Sequence, residues 1–576
     1  MSELKIKSYE FSKDGNEHCK DDKRCKDWPV VYLINNDKEI YVGETSHFYN
    51  RFKQHLDNPA RRKLNQISVV LDDEFNKSAV LDIEQSLIQY IGAENKFKLQ
   101  NMNGGQSSKH NYYQRAVYLA KLDKIWTILN QKGLTDKTLL DIQNTNLFKF
   151  SPYNSLNQEQ NEVCNDVLAN ILTCLDKGES GTSVIHGGAG TGKTVVLINI
   201  IYKILNAAKF NIDPLDESLD IDDENIKTLL AFKEYTKQLG RELKIAFVVP
   251  MDSIRHTIKT VFAETKSGLK PSIVVGPLDI TKDKYDIIFV DEAHRLPRNK
   301  NIMYADAYRD ACNRLGLDWK EDTTLDMIVK SSKYRVLVYD DEQRVKETDI
   351  TPDQFGKSIS NSHIFNHYLD TQMRCRGGQP YVNYIRDILS VREDLSFKEV
   401  ENYDFRLFDN VDEMVQGIKA KNAEFGLCLN VAGYAWKWIS KNQKSYEDVI
   451  RKGLEDITIQ GHKYVWNMNK REFILSKNAV NEIGCIHTTQ GYDLNYVGVI
   501  FGPEIDYDSD RKEITINLSK FYDSNVKRGA SYEDVKAYII NAYRTMMARG
   551  ILGCYVYACN DNLREYLRKY IPSQIL

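Results

Sequence analysis

Eight residues, GGAGTGKT from Gly187 to Thr194, continue the apolar run SVIHG and lead into TVVLINIIYKIL. They have the pattern G-x-x-x-x-G-K-[ST] where a short buried strand turns into a helix. Glycines there let consecutive backbone N–H groups converge, and the helix adds the positive end of its dipole, so the turn cradles phosphate oxygens. Gly187, Gly188, Gly190, Thr191 and Gly192 supply the backbone of that cradle. Lys193 is placed to reach the β- and γ-phosphates of a nucleoside triphosphate, and the Thr194 hydroxyl to hold Mg²⁺. Such a chain is expected to be an α/β protein with a parallel sheet that binds ATP.

Hydrolysis needs carboxylates from a second strand. Residues 284 to 296, KYDIIFVDEAHRL, are an apolar strand ending in Asp291 and Glu292, well beyond the glycine-rich turn. An aspartate there can hold the magnesium shell, and the glutamate beside it can orient or deprotonate the attacking water.

With 576 residues the chain is too long for one core, and about three to four domains are expected. Its 42% hydrophobic and 28% charged content argues for a globular chain and against a disordered one. No apolar run reaches the roughly 18 residues of a membrane-spanning helix. The start, MSELKIKSYEFSKDG, has no apolar core of a secretory signal. Ten cysteines without a C-x-x-C pair favour reduced thiols and a cytoplasmic setting. His18, Cys19 and Cys25 match no common zinc spacing. A net charge of −3 gives no global pull on nucleic acid, so any such binding must come from local basic tracks.

The N-terminal part carries a second set of chemistry-bearing residues. In WPVVYLINNDKEIYVGETSHFYNRFKQHL, residues 28 to 56, two β-rich runs flank a turn and a helix follows. Tyr32 and Tyr41 lie on the two hairpin strands, Gly43 sits where a backbone must approach closely, and Arg51 and His55 share one helix face. Glu84 lies on the helical segment SAVLDIEQSLIQYIG, and Asn101 follows in LQNMNGG. Each feature also has a plainer reading, as a packed tyrosine face, a solvated glutamate or an exposed Arg/His pair.

In order and spacing these residues resemble the GIY-YIG nuclease family over about residues 28 to 105, with valines at the first Gly-Ile positions. The resemblance implies a small α+β nuclease domain. Glu84 would bind a divalent metal, Mg²⁺ or Mn²⁺, and Arg51 would steady the scissile phosphate. A tyrosine, Tyr32 or Tyr41, would activate water with help from His55. Phosphodiester hydrolysis needs such a charge clamp, metal and proton acceptor. A folded domain that only binds DNA is the other reading.

Further segments extend the ATPase. Gln160 opens a helix after FKFSPYNSLNQ and can either recognise adenine or cap that helix. Residues 244 to 262 are a strand turning into a basic helix suited to phosphate-backbone contact, with Ser253 to Lys259 as a candidate track. YRVLVYDDEQRV places Gln343 after a strand, and LDTQMRCRGG offers Gln372, Arg374 and Arg376. His487, Thr488, Gln490 and Gly491 fall in a loop after a strand, where ligands sit at the carboxyl edge of α/β sheets. Arg544 and Arg549 precede the last apolar strand, and an arginine aimed at a nucleotide from a second domain is the device of an arginine finger. Tyr434, Trp436 and Trp438 are stacking or core residues.

This order resembles superfamily 1 helicases, and the Schlafen group 3-like DNA/RNA helicase domain most of all, over about residues 148 to 560. Relatives have threonine where this chain has Ala548. The implied layout is two RecA-like motor domains.

The chain therefore divides into an extension (1–27), a nuclease-like domain (28–108), a helical linker (109–147) and motor domains over 148–345 and 346–576. The acidic stretch 213–225 reads as a solvated insertion. The expected function is an ATP-dependent nucleic-acid translocase or helicase fused to a metal-dependent endonuclease. Its partner would be DNA ahead of RNA, in restriction, anti-phage defence or repair. The competing expectation is a signalling or remodelling ATPase whose N-terminal domain only binds nucleic acid.

Overall fold

The computed structural model describes residues 4–101, 112–188, 190–209, 224–299, 304–340, 348–372, 375–468, 473–489, 492–527 and 530–573. Among them no helix is long and apolar enough to cross a membrane.

The first sheet holds strands β1 (Lys5–Glu10), β2 (Val30–Asn35), β3 (Glu39–Thr45), β4 (Gln66–Leu71) and β5 (Lys98–Leu99), in the order β1-β4-β2-β3-β5. Hairpin β2–β3 is antiparallel with Tyr32 opposite Gly43. Its turn closes because the Asn36 side chain accepts from the backbone N–H groups of Lys38 and Glu39, at 2.8 and 2.7 Å. Residues 5–25, whose charge reads as a lead-in, instead supply the edge strand β1 and the helix Lys13–Cys19. Strand β1 buries only Ile6 among its outward charges, so it shows no apolar alternation and is held by backbone pairing.

The helical linker is docked rather than loose. Arg115, on helix Arg115–Gln131, grips both oxygens of Asp82 on helix Lys77–Glu94, at 2.7 and 3.2 Å. Ile125, Trp126 and Leu129 of the same helix are buried. Glu94 accepts from the backbone N–H groups of Asp136 and Lys137. Beyond it, Asn144 donates to the Phe425 carbonyl at 3.0 Å and accepts from Asn495, and Lys149 donates to the Asp493 carbonyl. Tyr153 packs edge-on against Tyr202 at 5.5 Å, and Gly92 leaves room for it: a Cβ there would lie 2.6 Å from the Tyr153 ring. The N-terminal unit is thus fastened to both halves of the motor.

The first motor sheet is wholly parallel, built from β6 (Gly181–Gly187), β7 (Ile245–Val248), β8 (Val274–Val275), β9 (Tyr285–Val290), β10 (Ser332–Tyr339) and β11 (His363–Leu369) in the order β11-β6-β10-β9-β7-β8. Because β11 pairs with β6 along His363–Leu369, the first motor domain runs past residue 345 to about residue 370. The second sheet takes β12 (Asp404–Leu407), β13 (Cys428–Ala432), β14 (Ile457–Ile459), β15 (His462–Trp466), β16 (Glu482–Gly484), β17 (Leu494–Phe501) and β20 (Gly550–Ala558). Its order is β12-β20-β17-β13-β16-β15-β14, parallel except for β14. A hairpin of β18 (Ile505–Asp508) and β19 (Glu513–Ile516) stands apart. Tyr434 and Trp438 pack on the buried Trp466, with ring centroids at 4.6 and 5.7 Å, and Trp436 joins the same partly buried cluster. Those three aromatics belong to the core edge of this domain.

Candidate functional site

The glycine-rich turn leaves β6 and enters helix Lys193–Ala207, with Gly190 and Gly192 at φ 88° and 81°. A side chain at either position would be strained, and at Gly192 it would also strike Gln160. Lys193 is 6% exposed, and its Nζ donates to the carbonyls of Gly187 and Gly188 at 2.6 and 2.7 Å, 3.7 Å from Asp340. The Thr194 hydroxyl donates to both oxygens of Asp291, at 3.2 and 3.0 Å. Burial, and then the neighbouring Glu292 charge, pushes the Asp291 carboxyl up to about 7. A hydroxyl beside a desolvated carboxylate is a hard oxygen pair, the donor set that Mg²⁺ takes. Thr194 and Asp291 would hold that ion.

Glu292 adopts a left-handed backbone, φ 51° and ψ 49°, which is costly for a non-glycine residue. One carboxylate oxygen lies 2.8 Å from Nε2 of the fully buried His294 and 3.6 Å from Nε of Arg295. Burial alone would raise the Glu292 carboxyl, but His294, then Arg295 and Lys193, hold it well below the usual carboxylate range. The neighbouring carboxyls of Asp291 and Glu292 are thus shifted in opposite directions by their surroundings.

Beside the turn lies a cavity of about 300 Å³ between the two motor domains. Gly187, Gly188, Tyr339 and Asp340 line it from the first domain, and Arg386 and Arg544 from the second. Arg544 thus lines the cavity from the second domain. Arg549 is not in the cavity lining: it is 3% exposed and donates to the Tyr492 carbonyl at 3.3 Å, just ahead of β17. Both ends of the Gln160 amide are engaged. It accepts from the Asn157 N–H in a helix cap and donates to the Thr191 carbonyl at 2.9 Å, so reading a base would require exchanging that grip on the turn. Arg255 of the basic helix Asp252–Glu264 donates to the Val249 carbonyl and to Asp252, and Thr257 shares a buried 2.7 Å hydrogen bond with Tyr492 of the second domain. Thr488 is tied to Asn467, and His487 lies 3.4 Å from the Tyr538 hydroxyl. The Arg376 N–H donates to the Ile551 carbonyl, and Gln372 is partly buried. Gln343, Arg374, Gln490 and Gly491 lie outside the described residues.

The N-terminal residues also converge. Tyr32 Oη is 2.8 Å from His55 Nε2 and accepts from Arg51 Nε at 3.3 Å. The Tyr41 ring meets His55 at 5.3 Å and carries the Arg61 guanidinium 3.8 Å above its face. A Cβ on Gly43 would lie 2.4 Å from Tyr32 Oη, so only glycine admits the phenol here. Asn101 pairs both ends of its amide with the Val42 backbone, at 3.0 and 2.8 Å, and extends the sheet edge. Tyr32, Arg51 and His55 are 1%, 6% and 2% exposed. Burial, then the Arg51 and Arg61 charges, drives the His55 imidazole well below its usual value, and burial drives the Tyr32 phenol well above. Both shifts favour the uncharged pair, a neutral imidazole hydrogen-bonded to a protonated phenol. Glu84 is 8% exposed, on helix Lys77–Glu94, near enough for its charge to act on Tyr32. Among the described residues no group of three or more His, Cys, Asp or Glu is placed to hold a metal ion.

Residues 180–560 match the family described as Schlafen group 3, DNA/RNA helicase domain. The chain belongs to that family. It is a P-loop ATPase of the helicase type. The uncharacterized protein YPL245W of Saccharomyces cerevisiae is 25% identical over 454 residues, 73% of this chain and 91% of that one. Among solved structures, this Schlafen group 3 chain is similar to the Pif1 helicase from Candida albicans, at 9% identity and TM-score 0.27, covering 72% of this chain and 99% of that one. It is also similar to the Pif1 helicase from Bacteroides in complex with ADP-AlF3 and ssDNA, at 11% identity and TM-score 0.23, covering 67% and 91%.

Three residues of the two clusters escape motif reading. His294 lies beside the acidic pair of the motor, and Arg61 lies over Tyr41 in the N-terminal unit. Arg386 has no local signal, because only the folded helix brings it to the cavity.

Proposed function

We propose that this protein is an ATP-driven nucleic-acid translocase carrying a phosphodiesterase centre on its N-terminal unit. The observation that carries the reading is the joint presence of two phosphate-handling clusters, Lys193–Thr194–Asp291–Glu292 and Tyr32–Arg51–His55 with Glu84. In the motor, bound magnesium would neutralise charge on the β- and γ-phosphates. Lys193 holds those phosphates, Glu292 orients water, and Arg544 approaches from the second domain on closure. ATP turnover would then open and close the cleft and shift the grip on one strand. In the N-terminal unit, Arg51 steadies the scissile phosphate, Tyr32 with His55 moves a proton, and Glu84 anchors a divalent ion that stabilises the departing charge. DNA is proposed ahead of RNA as the polymer. Defence against foreign DNA, restriction or repair suits the pairing of a motor with a cutter, as an analogy of architecture.

One observation favours a second reading. Tyr32, Arg51 and His55 are all nearly closed to solvent, as befits a unit that binds nucleic acid without cutting it.

The deciding experiment incubates the full chain with plasmid, linear, forked and single-stranded DNA and with RNA, in Mg²⁺ or Mn²⁺. Each is run with ATP, with a non-hydrolysable analogue and without nucleotide. Cleavage products lost in Glu84→Ala support the joint reading. Binding without products supports the second. ATP hydrolysis indifferent to every polymer removes the translocase.

A further inference from the structure

The wall of the interdomain cavity holds a cation that no motif marks. We infer that Arg386 is a second arginine for phosphoryl transfer, reaching the γ-phosphate from the second motor domain beside Arg544. The inference rests on the cavity being the nucleotide site.

Helix Gly378–Leu389 fixes the direction of this side chain. Its Tyr381, Tyr384, Ile385 and Ile388 are buried, which turns Gln379, Asn383 and Arg386 onto one stripe at the cavity. Those three are spaced i, i+4 and i+7, the period of a single helix face. The buried face is anchored to the helix that carries Arg544, since Tyr381 donates to the Met547 carbonyl at 3.1 Å. The two arginines therefore stand on adjoining helices of one wall. Arg386 is also loosely held. Its guanidinium lies 3.4 and 3.5 Å from Asp387, a carboxylate that Arg392 approaches at 3.5 Å, and 43% of its side chain is exposed.

The cavity wall carries carboxylates as well as cations. Asp340 and Asp370 line it, and Lys193 already stands 3.7 Å from Asp340. Hydrolysis forms a bond from a water oxygen to the γ-phosphorus and breaks the bond from that phosphorus to the β–γ bridging oxygen. The bond's electron pair stays on the departing ADP, and the water proton leaves on phosphate and solvent. In the transition state negative charge spreads over three equatorial oxygens. Lys193 meets that charge from the first domain, and two planar guanidinium forks, Arg544 and Arg386, meet it from the second. Both forks come from the opposite side of the cleft, so turnover is tied to closure of the motor.

The test compares the wild-type full chain with Arg386→Ala, Arg386→Lys and Lys193→Ala, measuring ATP turnover and affinities for ADP and for ADP–aluminium fluoride, which mimics the transferring phosphoryl group. Arg386→Ala is expected to lower kcat by about 10- to 100-fold with little change in KM for ATP. Affinity for ADP should persist while affinity for the fluoride complex falls by a similar factor, and Arg386→Lys should recover part of both. A wild-type kcat in Arg386→Ala overturns the inference. So does an equal fall in both affinities, which marks ordinary binding or a structural role. Lys193→Ala separates the premises: if it hydrolyses ATP normally, the nucleotide reading of the cavity itself fails. Should the alanine variant melt early, Arg386→Gln keeps the helix and is read in the same way.

Discussion

The hydroxyl of Thr194 donates to both carboxylate oxygens of Asp291, a residue 97 positions away on another strand. That contact brings the glycine turn and the acidic strand to a common point. Asp291→Asn keeps the size of the group and removes its charge. ATP turnover is expected to fall by about 100-fold or more, with nucleotide affinity in the absence of magnesium retained. A steady-state assay beside a binding titration decides it, and turnover at the wild-type rate would refute the assignment.

Tyr32→Phe deletes the one oxygen shared by His55 and Arg51. The buried imidazole then lacks a partner, at a cost of about 1–3 kcal/mol in the stability of the N-terminal unit. Any DNA cleavage should vanish together with that loss. Denaturant unfolding and a cleavage panel read the two effects, and cleavage surviving in Tyr32→Phe rules out the phenol as proton carrier.

Gly92→Ala places a methyl group 2.6 Å from the ring of Tyr153, which is 3% exposed. The ring has little room to retreat, so overpacking is expected to cost about 1–3 kcal/mol despite the better helix former. Hydrogen exchange should quicken in helix Lys77–Glu94 and in residues 144–153, with the core strands β6 and β9 unaffected. Unchanged exchange in those segments would show that the contact does not fasten the two units.

Glu504 is 1% exposed, one of its oxygens accepts from the Tyr543 hydroxyl at 2.6 Å, and burial pushes its carboxyl up to about 7 from 4.5. Between those values the folded chain keeps a proton that the unfolded chain has released. Stability therefore falls as pH rises from 4.5 to about 7, by roughly 3 kcal/mol, and is level above. Glu504→Gln should flatten that slope and raise the melting temperature at pH 8. Parallel melting curves of the two proteins across pH 5 to 8, with the same slope, would contradict it.

The glycine turn, the acidic strand and the Tyr-rich hairpin were legible because each is a local pattern with a local cause. The turn needs positive φ at Gly190 and Gly192, and the hairpin needs Gly43 beneath Tyr32. What escaped depends on pairing between distant segments. Strand β11 joins the first sheet only through β6, so a border drawn by motif falls short of it. Strand β1 buries a single residue and leaves no period to read. Arg549 has the charge of a finger, yet its helix end turns it into the core, while Arg386, in no motif, reaches the cavity. Charge is written in the chain, but direction comes from packing.

The grip of Asn144 and Lys149 on the second motor domain, with Tyr153 wedged under Gly92, leaves the Tyr32 cluster no slack to swing on a tether. If the proposed cleavage takes place there, it would fall at a constant offset, in nucleotides, from the stretch that the motor holds. Product lengths from a stalled complex should then cluster tightly around one value instead of smearing, as if measured against a ruler.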